Sequence, residues 1–132
     1  MMNVSVDFHT HILPCMDDGS ASTAMSLEML EREAAQGIET VVLTPHFYPH
    51  RERPESFLKR REESVALLRD AMDGRKGFPN IIVGAEVHYF EGISDCDYLQ
   101  QLKIEDTDTV MIEMPLTNWS KRMLSELCDI GQ

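Results

Sequence analysis

The chain has 132 residues, room for one domain of ordinary size, and its 42% hydrophobic and 27% charged content fits a soluble protein with a real core. Twelve Lys and Arg against 23 Asp and Glu give a formal charge of -11, which excludes the electrostatic footprint of a nucleic-acid binder, and no apolar run reaches the roughly 18 residues of a membrane span. The 3 cysteines are widely spaced without a C-x-x-C pair, and Met1 to His9 lacks a basic n-region, so a reducing, cytoplasmic compartment without export is expected.

In chain order, Val4 to Phe8 predicts a first strand, followed by a turn-rich stretch from Pro14 to Thr23 that contains Asp17-Asp18-Gly19. Ala24 to Gln36 predicts a helix, with Leu27, Leu30, Ala34 and Ile38 at three- and four-residue steps and Gly37 as its stop. Thr40 to Leu43 is a β-branched run broken by Thr44-Pro45. A polar loop from His46 to Arg53 leads to Pro54, well placed to open a helix over Glu55 to Met72. Phe57, Val65, Leu68 and Met72 form its apolar face, interrupted by Arg61. Ile81 to Val83 is a third strand, Ile93 to Leu102 a short helical piece, and Val110 to Met114 a fourth strand stopped by Pro115. Ser120 to Cys128 predicts a last helix with Met123, Leu124 and Leu127 as its apolar face. Strands alternating with helices imply the α/β class and a parallel sheet, either open or closed into a (β/α) barrel.

Parallel α/β folds gather functional groups at the carboxyl ends of their strands. Here those ends read His9-Thr10-His11, Thr44-Pro45-His46, Gly84-Ala85-Glu86 and Ile112-Glu113-Met114. His9 and His11, two apart, share a face of an extended segment and make a chelate. Alone, an H-x-H is equally a surface pair, Asp-Asp-Gly an ordinary turn and His46 a loop histidine. Glu86 and Glu113 are harder to dismiss, because burying a carboxylate without a cation is costly. The joint pattern is the signal: His, Asp and Glu from successive strand ends suit a hydrolytic divalent-metal site. Cys15 reads as a small packed cysteine, His88 as structural, and Trp119 as core or interface. His50 lies in the basic loop Pro49 to Arg53, which overhangs the strand ends and could meet an anion. Walker, dinucleotide-binding and G-x-S-x-G motifs are absent, as is a Cys followed closely by Arg.

The segments Asp7 to Pro14, Asp17-Asp18-Gly19, Leu43 to His46, Gly84 to Val87 and Ile112 to Pro115 resemble the PHP (polymerase and histidinol phosphatase) superfamily. More narrowly, they resemble the manganese-dependent tyrosine-protein phosphatases of bacterial capsule and exopolysaccharide operons. The resemblance implies that His9 and His11 ligate one metal, that Glu86 bridges two, that Glu113 ligates the second, and that Asp18 and His46 ligate a third, with Asp17 shaping the turn. It implies up to three divalent ions, manganese first, with iron or zinc as alternatives. It also implies hydrolysis of phosphotyrosine on a protein substrate, the tail of a capsule-regulating tyrosine kinase. Alternatives within the resemblance are a histidinol-phosphate-type or nucleotide phosphomonoesterase, and an inactive half-domain that binds only metal or a partner. The family's later His, its Asp-x-His pair and its phosphate-holding arginines have no counterpart after Glu113. The whole chain, 1–132, is therefore expected to be about the first half of a PHP-type (β/α) barrel, a fragment or a truncated product, and to self-associate through its open sheet edge.

Overall fold

Pairing partners decide where the first strand lies. The computed structural model describes residues 4–132. In it β1 spans Val6–Thr10, two residues further along than the alternation suggests. Val6, Asp7 and Thr10 pair in parallel with Thr40, Val41 and Leu43 of β2 (Thr40–Leu43), with a register irregularity between Asp7 and Thr10. The Thr10 hydroxyl donates to the Val42 carbonyl at 2.7 Å, which fastens the end of β1 and carries His9 into the strand itself.

α1 (Thr23–Ala35) starts at Ser22, whose hydroxyl accepts the Met25 amide. β2 and the third strand are each broken and resumed. After Thr44-Pro45 the chain re-enters extended structure as β3 (His46–Phe47), and α2 (Pro54–Met72) follows with Pro54 at its start. β4 (Asn80–Val83) resumes after Gly84-Ala85 as β5 (Glu86–His88). The break has a local cause: Pro45 has no amide hydrogen to give the ladder. Its carbonyl still accepts from Glu86 N at 2.9 Å, and Leu43 O accepts from Gly84 N at 2.8 Å, so the strands stay side by side. Two short 3₁₀ turns, Ile93–Asp95 and Asp97–Leu102, stand where one helical piece was expected. β6 (Met111–Glu113) and α3 (Lys121–Ile130, capped by Ser120) complete the described chain.

All pairings are parallel, in two three-stranded sheets ordered β1-β2-β4 and β3-β5-β6. The fold is therefore mixed α/β with parallel sheets, and the sheets do not close into a barrel among the described residues. Leu30, Val41, Leu43, Phe47, Phe57, Leu68 and Val87 are wholly buried in one core that joins α1 and α2 to the strands. No helix is long and apolar enough to cross a membrane.

Three side chains depart from the sequence expectation. Cys15 is exposed rather than packed, and Leu124 is half exposed and not core. α3 docks instead through Glu126, with Met123 and Ile130 packed beside it. Arg61, the interruption on the α2 face, reaches the Gly84 carbonyl at 2.8 Å and the Gln101 carbonyl at 3.0 Å. That long cation ties α2 to the β4–β5 break, a use of burial that hydrophobic spacing cannot show.

Candidate metal centre

The site is built on the second half of each split strand. His46 opens β3 in register with Glu86 of β5, and His88 of β5 pairs with Glu113 of β6. Residues two apart on a strand share a face, so Glu86 and His88 emerge on one side of β5. Thr10 is buried between His9 and His11, which puts the two imidazoles on the opposite side from Thr10.

The turn after His11 folds a carboxylate back onto the site. Gly19 makes this possible: a Cβ there would lie 2.3 Å from the His11 carbonyl oxygen, so only glycine permits the approach. Ser20 N donates to that same carbonyl at 3.0 Å. The carboxylate delivered is that of Asp17. Its Oδ1 accepts from Gly19 N at 3.0 Å, its Oδ2 accepts from His46 N at 3.0 Å, and Oδ2 also lies 3.0 Å from His11 Nδ1. Burial pushes the Asp17 carboxyl up, but the His46 and Gly19 amides with His11 outweigh it and hold the group below the usual carboxylate range. Asp18 is exposed and lines the adjoining cleft rather than the cluster. Both residues carry the same chemistry, and the handedness of the turn decides which one faces inward.

Glu86 sits at the centre, its side chain 6% exposed. Its Oε1 contacts His9 Nε2 and lies 3.6 Å from His11 Nε2. Its Oε2 lies 2.9 Å from His46 Nδ1, which is 3.3 Å from Glu113 Oε2. The His11 and His46 rings stack at 4.5 Å. Three sets of potential ligand atoms result, each within 4.8 Å of one another: His9, His11, Glu86; His11, Asp17, His46; and His46, Glu86, Glu113. Of the six residues singled out in the sequence, His9, His11, His46, Glu86 and Glu113 converge, joined by Asp17, while Asp18 lies on the wall of the adjoining cleft. His88, set aside as structural, faces the same cluster, its Nδ1 3.5 Å from Glu113 Oε2.

The donors fit divalent cations. His46 Nδ1, His88 Nδ1 and Glu113 Oε2 are buried yet have no hydrogen-bond partner, because their close contacts do not have hydrogen-bond geometry. Buried polar atoms are costly to leave unpaired, and lone pairs of imidazole and carboxylate facing one another are what a cation satisfies. Nitrogen and oxygen donors without sulfur suit manganese, iron or zinc.

Beside the cluster is a cleft of about 370 Å³ lined by Asp17, Asp18, His46, Tyr48, Arg51 and Arg60 among others. Tyr48 stacks on His46 at 5.2 Å, and the Arg51 guanidinium lies 4.6 Å over the Tyr48 ring. Burial and the charges of Glu113, Glu86 and Asp18 push the Tyr48 hydroxyl up, with Arg51 opposing. Arg60 is committed to Glu52 through bonds of 2.5 and 3.1 Å. Arg51 has no carboxylate within ion-pair distance among the described residues, so it is the cation that the cleft leaves uncommitted.

Comparison with known proteins places the chain in a family. Residues 5–131 match the model of the family described as capsular polysaccharide synthesis, CpsB/CapC. The tyrosine-protein phosphatase YwqE of Bacillus subtilis (strain 168) is 33% identical over 115 residues, covering 83% of this chain and 43% of that protein. The tyrosine-protein phosphatase CpsB of Streptococcus pneumoniae is 29% identical over 111 residues, covering 80% of this chain and 40% of that protein. A solved structure from work on YwqE and CpsB, described there as unique metal-dependent tyrosine phosphatases, superposes with a TM-score of 0.78 at 25% identity. It covers 96% of this chain and 51% of the solved one, so the chain spans about half the length of the relatives it matches. With its family model matched from residue 5 to residue 131, the chain belongs to the CpsB/CapC family.

Proposed function

We propose that the chain forms the metal-binding half of a metal-dependent protein-tyrosine phosphatase built on a PHP-type (β/α) barrel. The carrying observation is the pair of buried, unpartnered atoms His46 Nδ1 and Glu113 Oε2 beside a buried Glu86. A carboxylate whose two oxygens face different histidines is placed to bridge two cations. In this reading His9, His11 and Glu86 would hold one ion, and Glu86 and Glu113 would hold a second. His46 stands between Glu86 and Glu113, and Asp17 contributes with His11 and His46. Asp18, exposed on the cleft wall, would serve as a ligand only after its side chain turns inward.

Divalent ions held there would supply charge neutralisation on a phosphoryl group and a lowered pKa of bound water. The protein's own residues do the rest. Asp17 fixes His11 and the His46 backbone, so the imidazoles keep one orientation. Arg51 supplies a positive charge at the cleft for phosphoryl oxygens, in a chain that is otherwise strongly acidic. Tyr48 offers an aromatic wall between Arg51 and His46, suited to an aryl phosphate. The substrate class is phosphotyrosine on a protein, in the cytoplasm, with a capsule-regulating tyrosine kinase as the partner the family implies. β1 and β6 each keep one unpaired edge among the described residues, which supports self-association.

The test is a panel of phosphotyrosine peptide, histidinol phosphate and nucleotides with manganese-loaded chain. Turnover of the peptide above the other two supports the reading. Preference for histidinol phosphate or a nucleotide moves the substrate class, and bound metal without any turnover makes the chain a binding half-domain.

A further inference from the structure

We propose that Arg60 is a positioning residue: through Glu52 it holds the turn bearing Arg51 against the turn bearing Asp17, and so fixes Arg51 where a phosphoryl group binds. This role rests on the phosphatase reading above and adds to it the ion pair that keeps Arg51 in place.

The stretch from Tyr48 to Glu52 is one compact turn. Arg51 N and Glu52 N both donate to the Tyr48 carbonyl, at 2.9 and 3.3 Å. What holds Glu52 therefore holds Arg51, whose guanidinium lies over the Tyr48 ring. Glu52 is gripped from α2. Arg60 Nη2 donates to its Oε1 at 2.5 Å and Nε to its Oε2 at 3.1 Å, a two-pronged contact. The remaining nitrogen, Nη1, donates to the Met16 carbonyl at 3.2 Å. Met16 directly precedes Asp17, and one turn further along α2 Ser64 donates to the Pro14 carbonyl at 2.7 Å. α2 thus fastens the segment before Asp17 at two points, and Arg60 joins that segment to the Arg51 turn. Met16, Arg51, Glu52 and Arg60 all line the same cleft beside His46. A surface ion pair contributes little to stability, but a fork engaged on both carboxylate oxygens fixes orientation, which a lysine's single charge does not.

The sign of one substitution separates positioning from charge. Glu52→Gln removes a negative charge from the cleft and releases Arg60. In a chain of net charge -11, both changes strengthen anion binding if Glu52 acts only as a charge. If the pair holds Arg51 in place, the same substitution weakens it.

The measurement is calorimetric titration of orthophosphate into manganese-loaded chain at low ionic strength, for wild type, Arg51→Gln, Glu52→Gln, Arg60→Lys and the double variant Arg51→Gln/Glu52→Gln, with thermal melts to confirm that each is folded. Glu52→Gln and Arg60→Lys are each expected to weaken binding by about threefold, as much as Arg51→Gln, and the double variant to be no weaker than Arg51→Gln alone. Arg60→Lys keeps the net charge, so its loss reports geometry, and it decides the matter if Glu52→Gln does not fold. Wild-type or tighter binding by either folded variant, or additive losses in the double variant, overturns the proposal, while a loss in Arg51→Gln leaves the phosphatase reading standing. No orthophosphate binding by wild type overturns both.

Discussion

Glu86 and Glu126 are buried almost equally, at 5% and 6% exposure, yet their surroundings differ in kind. Glu126 on α3 accepts from the Tyr89 hydroxyl, from Gly92 N at 2.7 Å and from Ser94 at 3.4 Å, with Arg122 at 4.0 Å. Donors, the Arg122 guanidinium among them, close around it, so it holds α3 to the loop after β5. Glu86 faces three histidines, and the neighbouring Glu113 Oε2 and His46 Nδ1, though in close contact, make no hydrogen bond. Burial alone does not mark a functional carboxylate. What distinguishes the two is that donors ring Glu126 in hydrogen-bond geometry, whereas buried polar atoms beside Glu86 make no hydrogen bond.

The comparison breaks most sharply under substitution. Glu126→Ala leaves the Tyr89 hydroxyl and Gly92 amide unpaired and should cost about 3 kcal/mol in urea unfolding, with metal content per folded molecule unchanged. Glu86→Gln should do the reverse. It removes a buried charge from among imidazoles, so metal-free stability should hold or rise. The stabilisation by manganese, about 2.7 kcal/mol at a hundredfold excess over Kd, should vanish. Loss of metal by Glu126→Ala, or full manganese stabilisation of Glu86→Gln, would erase the distinction.

Gly19→Ala comes next. The added methyl meets the His11 carbonyl, and relief requires the Asp17 turn to move, at a cost of about 2 kcal/mol. Metal affinity should fall along with stability, because Asp17 and His11 move together.

The α3 anchor contributes a pH dependence at both extremes. The Tyr89 hydroxyl, with further help from Gly92 N, Arg122 and Ser94, outweighs burial and lowers the Glu126 pKa from 4.5. A depressed carboxyl contributes stability above its unfolded value, and that stability is lost as pH falls through the folded value. Tyr89, through the same bond, is pushed up to about 12 from 10.0. Its contribution is present below 10 and is lost as pH rises toward 12. Unfolding midpoints should therefore decline below pH 4.5 and above pH 10, and Glu126→Gln should flatten the acid limb.

Much of the site was legible because strand ends in a parallel fold collect chemistry, and His9, His11, His46, Glu86 and Glu113 each follow or close an apolar run. The parallel α/β arrangement was legible for the same reason. Asp17 was assigned to shaping the turn, and it does accept from Gly19 N there; its further contacts with His11 and the His46 amide depend on which way the turn faces, which identical neighbours do not reveal. The contact of His88 with Glu113, 25 positions away, arises only through sheet register and so has no sequence signal. Glu126 was hidden by its helix: Met123, Glu126 and Ile130 follow core spacing, but an acidic residue there reads as an outward one.

The smallest expected effect separates the two arginines of the cleft. Arg60 is engaged by Glu52 and also donates to the Met16 carbonyl at 3.2 Å, so Arg60→Gln should cost up to about 1 kcal/mol of stability. Arg51 is exposed and rests on Tyr48 without an ion-pair partner among the described residues, so Arg51→Gln should leave stability within about 0.5 kcal/mol of wild type. Its effect should show instead in orthophosphate binding to manganese-loaded chain, weakened by about threefold at low ionic strength and less at high salt, as expected for a solvent-exposed charge. Calorimetric titration at two salt concentrations reads both numbers. Equal phosphate affinity for wild type and Arg51→Gln would mean that the cleft's uncommitted cation does not face the phosphoryl group, and that the aromatic wall alone lines the substrate side.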